Sequence, residues 1–221
     1  NERPIEVALA TEACQWATCP GLILDAGAAL NRPDLYEAQR PKGRIWHYTQ
    51  SILFESIIRC DEHASYVCGD LRRLELLDAS CDHVVCISTL EHIGMDNRSY
   101  GTAAENAPDS WRQVVRELWR VLKPGGTLFI SVPAGVEPRA CERYRSFTMS
   151  ELEELESLVG GPMERRYFTA DPPGHWADIS CFPPYGLEPP RELPENIPLI
   201  DRKQRVIGLA CLKRVKPCAN S

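Results

Sequence analysis

Six short apolar runs recur along the chain, and stretches with helical periodicity separate several of them. The runs that we interpret as strands cover residues 21–27, 44–51, 65–70, 82–94, 125–133 and 205–215. Most of them are continuous apolar runs, which is typical of strands covered on both faces. Strands that alternate with helices favour βαβ units, so the pattern predicts an α/β fold with a mostly parallel sheet.

The clearest helical spacing lies between the fourth and fifth runs. Its apolar positions follow the three- and four-residue intervals of one helix face: Trp111, Val114, Val115, Leu118, Trp119 and Leu122. Asp109 or Ser110 is a natural N-cap, and the sequence KPGG ends this helix before the fifth strand. A second helix is predicted from the capping-box pattern of Ser150 and Glu153.

Length and composition favour one domain over residues 1–221. A chain of this length with 43% hydrophobic residues can bury a sizeable core. Within that domain we expect an N-terminal helical segment at 1–20 and a proline-rich insertion at 172–198. The insertion contains eight prolines. Because proline cannot donate a ladder hydrogen bond, the insertion is predicted to lie outside the core sheet.

The charge pattern argues against nucleic acid as a partner, and the hydropathy pattern argues against a membrane. The net charge is -6, and the basic residues are scattered among acidic ones instead of forming a stripe that could follow a phosphate backbone. No apolar stretch approaches the roughly 20 residues needed to cross a bilayer. We therefore predict a soluble protein that acts on a small molecule.

Ten cysteines raise the question of disulfides or a metal. They form no C-x-x-C pair and no Cys/His cluster at zinc-ligand spacing, so we predict no metal site. Several lie within apolar runs, where a free thiol behaves as a small hydrophobe. Reduced thiols and a cytoplasmic location are therefore expected, and pairing of Cys14 with Cys19 is left open.

Polar or glycine residues follow four of the predicted strands, in the sequences DAGAALN, TQS, GDL and STLEH. In an open α/β sheet, ligands bind at the carboxyl ends of the strands, near the point where strand order reverses. The fourth run ends at Glu91 and His92, so a buried strand would deliver two ionisable side chains to that crevice.

From residue 21 to about 135, the chain resembles a class I, Rossmann-like S-adenosylmethionine-dependent methyltransferase. The resemblance rests on LILDAGAALN, YVCGDLRRL, DHVVCISTLEHIG and RELWRVLKPGGTLFISVP. It implies a three-layer αβα sandwich with a mostly parallel seven-stranded sheet and an antiparallel final strand. It also implies S-adenosyl-L-methionine as cofactor and S-adenosyl-L-homocysteine as product.

The resemblance further implies that the loop after the first strand holds the methionine part of the cofactor. The residues that it places there are Asp25, Ala26, Gly27, Ala28 and Asn31. Glycine at Gly27 would let the backbone approach the ligand closely. The family pattern has glycines where this chain has Ala29 and Asn31. Asn31 could keep a positive φ there, whereas Ala29 requires a negative one.

Three further strand ends are implied to complete the cofactor site. Thr49, with Gln50 and Ser51 beside it, occupies the place of the acid that usually binds the ribose hydroxyls. Asp70 and Leu71 occupy the adenine-reading place. The residues expected beneath the sulfonium region are Ser88 and Thr89, whose alternative role is to cap the next helix.

His92 is the first candidate for a general base, because its ordinary pKa near 6.5 lets it accept a proton at physiological pH. A helix-start or packing role is the alternative for His92. Glu91 is a second catalytic candidate, but holding the cofactor or anchoring the following loop is the favoured interpretation. His175 is the reserve base.

Substrate binding is assigned to Arg143, Tyr144, Arg145 and Trp176. The arginine forks favour an anionic acceptor. A solvated basic face is the alternative interpretation of these arginines.

We predict methyl transfer to a small-molecule or sugar-type acceptor at oxygen or nitrogen. A nicotinamide-dependent oxidoreductase would want G-x-G-x-x-G after the first strand, and only Gly27 of that pattern is present. The rival hypothesis is an inactive methyltransferase-like scaffold, favoured by Ala29, Asn31 and Thr49. The sequence does not indicate an oligomeric state.

Overall fold

A computed structural model describes residues 2–38, 40–49, 62–98, 105–135, 144–170, 176–179 and 208–218. The helices within this part of the chain are α1 (Arg3–Ala13), α2 (Pro33–Ala38), α3 (Trp111–Val121) and α4 (Met149–Leu158). The strands are β1 (Leu22–Ala26), β2 (Arg44–Thr49), β3 (Ala64–Cys68), β4 (Cys81–Ile87), β5 (Leu122–Ala134), β6 (Glu164–Ala170), β7 (Trp176–Ile179) and β8 (Gly208–Val215).

The strands form one sheet in the order β3-β2-β1-β4-β5-β8-β6-β7. Neighbours from β3 to β5 pair in parallel, whereas β8 is antiparallel to both β5 and β6. The predicted mostly parallel sheet with an antiparallel final strand is therefore confirmed. The described sheet has eight strands instead of seven because β7 adds an antiparallel edge next to β6. This strand lies within the proline-rich insertion, but its own four residues contain no proline.

Helices cover both faces of the sheet, as the three-layer prediction requires. One apolar cluster joins the sheet to α3 and α4, and Trp111 and Phe147 meet there edge to face at 5.2 Å. A second cluster joins the other face to α1 and α2 and contains Val7, Trp16 and Tyr36. The strand order reverses between β1 and β4, so the carboxyl ends of these neighbouring strands frame the crevice expected of such a sheet.

Three local predictions need correction. Ser110 is the N-cap of α3, but its side chain makes no capping hydrogen bond. The capping box of α4 is formed by Thr148 and Glu151, two residues earlier than predicted, because Thr148 is the extended residue that precedes the helix. Strand β5 begins at Leu122 instead of after KPGG, since Leu122 already pairs with β4.

Candidate functional site

The loop after β1 is organised by the carboxylate of Asp25, which is completely buried. Its Oδ2 accepts a hydrogen bond from the Leu30 backbone N–H at 2.8 Å and contacts His47 Nδ1 at 2.8 Å. Its Oδ1 is also buried and has no hydrogen-bond partner within the described part of the chain. Asp25 Oδ2 thus holds the loop to β1 and β2, and Oδ1 remains able to accept a hydrogen bond.

Gly27 lies where only glycine fits. Its φ is +99°, and a Cβ built on it would stand 2.1 Å from Thr89 Oγ1. The Thr89 hydroxyl is held against the end of β1, since its Oγ1 lies 3.3 Å from the Ala26 carbonyl oxygen. Gly27 thus brings the loop against the end of β4, and the close approach of its backbone to a ligand stays a prediction.

The positive φ expected at Asn31 is found at another residue of the same loop. Ala28 has a φ of 56°, whereas Asn31 and Ala29 are not among the described residues with positive φ. The prediction for Asn31 was wrong, because the tight turn comes directly after Gly27. The side chain of Asn31 instead accepts a hydrogen bond from the Tyr66 hydroxyl at 2.6 Å.

A buried polar chain runs from Asp25 to Tyr36 through His47, and the sequence did not lead us to it. The Tyr36 hydroxyl lies 2.6 Å from His47 Nε2, and both side chains are buried. Because an ionised Asp25 can only accept, His47 Nδ1–H donates to it, and Nε2 is left for the Tyr36 hydroxyl. The available signal was a histidine inside the apolar β2 run, paired in register with Asp25.

The ribose and adenine positions lie at the ends of β2 and β3. Thr49 is buried at the end of β2, and its carbonyl accepts the Gly69 N–H at 3.0 Å. Asp70 is already paired with Arg72, whose Nη2 lies 2.7 Å from Asp70 Oδ2. Leu71 is buried beside it. Gln50 and Ser51 lie outside the described residues.

The end of β4 holds a strained residue bonded to an unexpected partner. Ser88 has a φ of 40°, and its hydroxyl lies 2.5 Å from Glu6 Oε1. Ser131 of β5 donates to the same oxygen at 2.7 Å. Glu6 comes from α1 and is completely buried. Sequence reasoning missed Glu6 because α1 carries no strand-end signal.

Glu91 and His92 follow in a short 3-10 turn. Burial raises the pKa of Glu91 to about 8, and the nearby carboxyl group of Glu6 adds to that increase. His92 is half-buried, with Nε2 4.0 Å from Glu91 Oε1. The His92 and Tyr144 rings meet edge to face at 6.2 Å. The structure thus brings together the first candidate base and one residue of the predicted substrate site.

Arg145 is held within the protein. Its guanidinium pairs with Glu151, donates to the Pro108 carbonyl at 3.0 Å and lies 5.1 Å from the centre of the Phe147 ring. Burial lowers its pKa. These contacts favour a structural role over the capture of an anion. Two other predicted residues, Arg143 and His175, lie outside the described residues, and for Trp176 the structure describes only the backbone in β7.

The described cysteines are free thiols, and Cys14 and Cys19 are both buried without a disulfide between them. Across the described ranges, no group of three or more His, Cys, Asp or Glu side chains is arranged to hold a metal ion. None of the helices described is long and apolar enough to cross a membrane.

Comparison with known protein families shows which kind of domain this part of the chain resembles. Residues 47–130 match the family model described as a methyltransferase domain, a range that contains β3, β4 and α3. Over these residues the chain is therefore similar to methyltransferase domains. The predicted class of S-adenosylmethionine-dependent methyltransferases is thereby confirmed, and with it the cofactor of that class.

Solved structures of other proteins share the fold of this chain. One is the Burkholderia thailandensis 1,6-didemethyltoxoflavin-N1-methyltransferase, with its substrate and S-adenosylhomocysteine bound. It is 18% identical, with a TM-score of 0.60 over 98% of this chain and 78% of that one. A methyltransferase from Methanosarcina mazei is 13% identical, with a TM-score of 0.57 over 93% and 96% of the two chains.

The cyclase SpnF also shares the fold of this methyltransferase domain. It is 17% identical, with a TM-score of 0.63 over 98% of this chain and 81% of that one. At such identities the similarity establishes the fold alone. No protein of curated function shows significant sequence similarity to the chain.

Proposed function

We propose that this protein transfers the methyl group of S-adenosylmethionine to an oxygen or nitrogen of a small-molecule or sugar-type acceptor. The observation that carries the proposal is the loop after β1. There, Gly27 permits close approach, and Asp25 keeps a buried oxygen without a hydrogen-bond partner in the described structure. Buried acceptors of this kind are normally satisfied, so the loop fits a ligand that brings a donor.

The neighbouring strand ends fit the rest of the cofactor. Thr49 at β2 would face the ribose, and Asp70 with Leu71 at β3 would face the adenine. Asp70 is tied to Arg72, but its side chain keeps 41% of its surface exposed and retains acceptor capacity. Ser88 and Thr89 at β4 would lie beneath the sulfonium. Gln50 and Ser51 remain predicted neighbours of the ribose.

When bound, S-adenosylmethionine supplies a methyl group on a sulfonium, which is open to in-line displacement. The protein's task is to hold the acceptor in line and to exclude water. His92 would take the acceptor proton where one must be removed, and His175 remains the reserve base. The edge contact between Tyr144 and His92 would orient the imidazole and form one wall of the acceptor site.

A small-molecule acceptor is supported by the 1,6-didemethyltoxoflavin-N1-methyltransferase of the same fold, whose name describes methylation at N1 of a small molecule. An anionic acceptor now depends on Arg143, because Arg145 is paired with Glu151. Trp176 stays a predicted contact. A cytoplasmic location, and the lack of nucleic-acid or membrane partners, likewise remain predictions.

A second function deserves a test because SpnF shows a named activity other than methyl transfer on this fold. The chain could bind a ligand in the same crevice without transferring a methyl group, as in the scaffold hypothesis. Calorimetry with S-adenosylmethionine and S-adenosylhomocysteine shows whether the protein binds the cofactor. An assay for S-adenosylhomocysteine released in the presence of an acceptor then shows whether the bound cofactor is used for methyl transfer.

The binding experiment compares the wild type with Asp70→Asn. The control is Glu153→Gln, which removes an exposed carboxylate of α4. We expect specific binding that Asp70→Asn weakens by about tenfold, or roughly 1.4 kcal/mol, and that the control leaves intact. Lack of binding to the wild type would overturn the proposed function.

A further inference from the structure

A polar cluster joins α1 to the carboxyl ends of β4 and β5. Glu6 Oε1 accepts hydrogen bonds from the hydroxyls of Ser88 and Ser131 at 2.5 and 2.7 Å. The two strand ends are themselves joined, because the Ser88 N–H donates to the Ser131 carbonyl at 3.1 Å. Glu91 follows three residues after Ser88 and interacts electrostatically with Glu6. The cluster therefore brings two carboxyl groups to one edge of the sheet.

Each of these two carboxyl groups has a buried oxygen that accepts no hydrogen bond in the described structure. Glu6 Oε2 and Glu91 Oε2 are buried and have no hydrogen-bond partner among the residues that the structure describes. Glu6 is completely buried, and Glu91 is 3% exposed. Glu6 Oε2 forms an ion pair with Arg3, whose Nη1 stands 3.5 Å away, beyond hydrogen-bond geometry. Buried carboxyl oxygens without donors are costly, so the cluster fits a ligand that supplies N–H groups.

The order of the strands indicates which ligand would reach the cluster. β2 and β3, which carry the proposed ribose and adenine positions, lie on one side of β1. β4 and β5 lie on the other side of β1. A cofactor that runs from β3 to the loop after β1 would therefore present its reactive methyl group towards β4. A methyl acceptor would then approach the methyl group from the side of β4 and β5.

We propose that Glu6 and Glu91, with Ser88 and Ser131, form a subsite for the nitrogen of an amine acceptor. This inference rests on the proposed function. As the nitrogen lone pair forms the new N–C bond, the C–S bond breaks and its electrons remain on sulfur. The nitrogen then carries the positive charge until His92, the first candidate base, takes its surplus proton. Carboxyl oxygens in a buried site stabilise that charge more strongly than water would.

Both basic and acidic groups surround the subsite, and they affect the protonation of its carboxyl groups. Arg3 faces Glu6, and both Arg3 and Glu2 act electrostatically on Glu91. Because the pKa of Glu91 is raised to about 8, this group holds its proton at neutral pH and offers an O–H or an acceptor oxygen as the ligand requires. The subsite can therefore bind a neutral amine without facing two full negative charges.

Sinefungin provides a probe that needs no knowledge of the acceptor. In this cofactor analogue, a carbon bearing an amine replaces the methylated sulfur, whereas S-adenosylhomocysteine has only a thioether there. Both ligands share the same amino-acid tail and adenosine. The ratio of their affinities, measured by calorimetry, therefore isolates the group at the methyl position.

The variants are Glu6→Gln and Glu91→Gln, and the control is Glu12→Gln on the exposed face of the same helix. We expect the wild type and Glu12→Gln to prefer sinefungin by about tenfold or more, and each subsite variant to lose most of that preference. Glu91→Gln answers the question alone if Glu6→Gln does not fold, as judged by thermal unfolding.

Two results would overturn the inference in distinguishable ways. If both ligands bind but the ratio is near one, or is unchanged in the folded variants, the amine subsite is wrong and the proposed function stands. If neither ligand binds the wild type, the proposed function itself fails.

Discussion

Replacing Glu91 by glutamine should make the protein more stable at alkaline pH. The carboxyl group is 3% exposed, and burial raises its pKa from 4.5 to about 8. Glutamine has nearly the shape of a protonated glutamate but cannot ionise. The substitution therefore removes a titration while keeping the packing, which makes its effect attributable to charge.

The direction of this stability change with pH follows from the number of protons bound in the folded and the unfolded chain. Below pH 4.5 the group is protonated in the folded and the unfolded chain, and it has no differential effect. Between pH 4.5 and about 8 the unfolded chain releases the proton while the folded protein keeps it, so stability falls as pH rises. Above pH 8 both states are ionised and the full penalty remains.

The size of this loss of folding stability follows from the same pKa shift. At about 1.4 kcal/mol per pKa unit, the change corresponds to roughly 5 kcal/mol in alkaline solution. Domains of this kind are stable by about 5–15 kcal/mol, so such a penalty would be a large share of the total. Water penetration and local relaxation reduce it, and we expect Glu91→Gln to gain several kcal/mol.

Urea unfolding at pH 5, 7 and 9 measures this difference, because urea adds no ionic strength. We expect the two proteins to have similar free energies of unfolding at pH 5 and the variant to be the more stable at pH 9. Glu153→Gln serves as the matched control, since Glu153 is exposed and its loss should have little pH-dependent effect. An advantage of Glu91→Gln that is equal at pH 5 and pH 9 would refute a buried carboxyl group with a raised pKa.

Three further substitutions test the site and the fold. Gly27→Ala places a Cβ 2.1 Å from Thr89 Oγ1, so calorimetry should show S-adenosylhomocysteine affinity reduced by about tenfold or more, and wild-type affinity would contradict the close approach. Tyr36→Phe removes the hydroxyl bonded to His47 and should cost about 1–3 kcal/mol in urea unfolding, whereas no loss would mean that this buried bond is not formed. Thr148→Ala removes the capping box of α4 and should cost about 1 kcal/mol without affecting ligand binding, and a change in affinity would link α4 to the crevice.

The sheet could be predicted because its strands carry strong local signals. The runs that become β1, β4 and β5 are apolar on both faces, and their polar ends mark the crevice. The extra edge strand β7 could not be found in this way, because a four-residue strand among prolines has no periodicity of its own. The shift of the capping box arose because two overlapping S/T-x-x-E patterns, at Thr148 and Ser150, compete in the sequence.

The candidate site was predictable only where its residues follow a strand. Asp25, Gly27 and Thr89 meet at the edge where their strands end, as the topology requires. Glu6 and His47 reach the site differently: Glu6 comes from a helix on one face of the sheet, and His47 from within β2. Their roles depend on strand register and on helix docking, neither of which a single sequence reveals.

The distribution of costly features argues for a functional crevice over a scaffold. Ala28 and Ser88 hold positive φ angles that non-glycine residues avoid, and Asp25 keeps a buried oxygen without a hydrogen bond in the described structure. All three lie at the carboxyl ends of β1 and β4. Strain and unsatisfied groups of this kind persist where the surrounding structure enforces them, typically at ligand sites. Gln15 and Ala79 also hold positive φ angles, away from this edge, so the argument for a ligand site depends on the edge where strain and the unpaired Asp25 oxygen occur together.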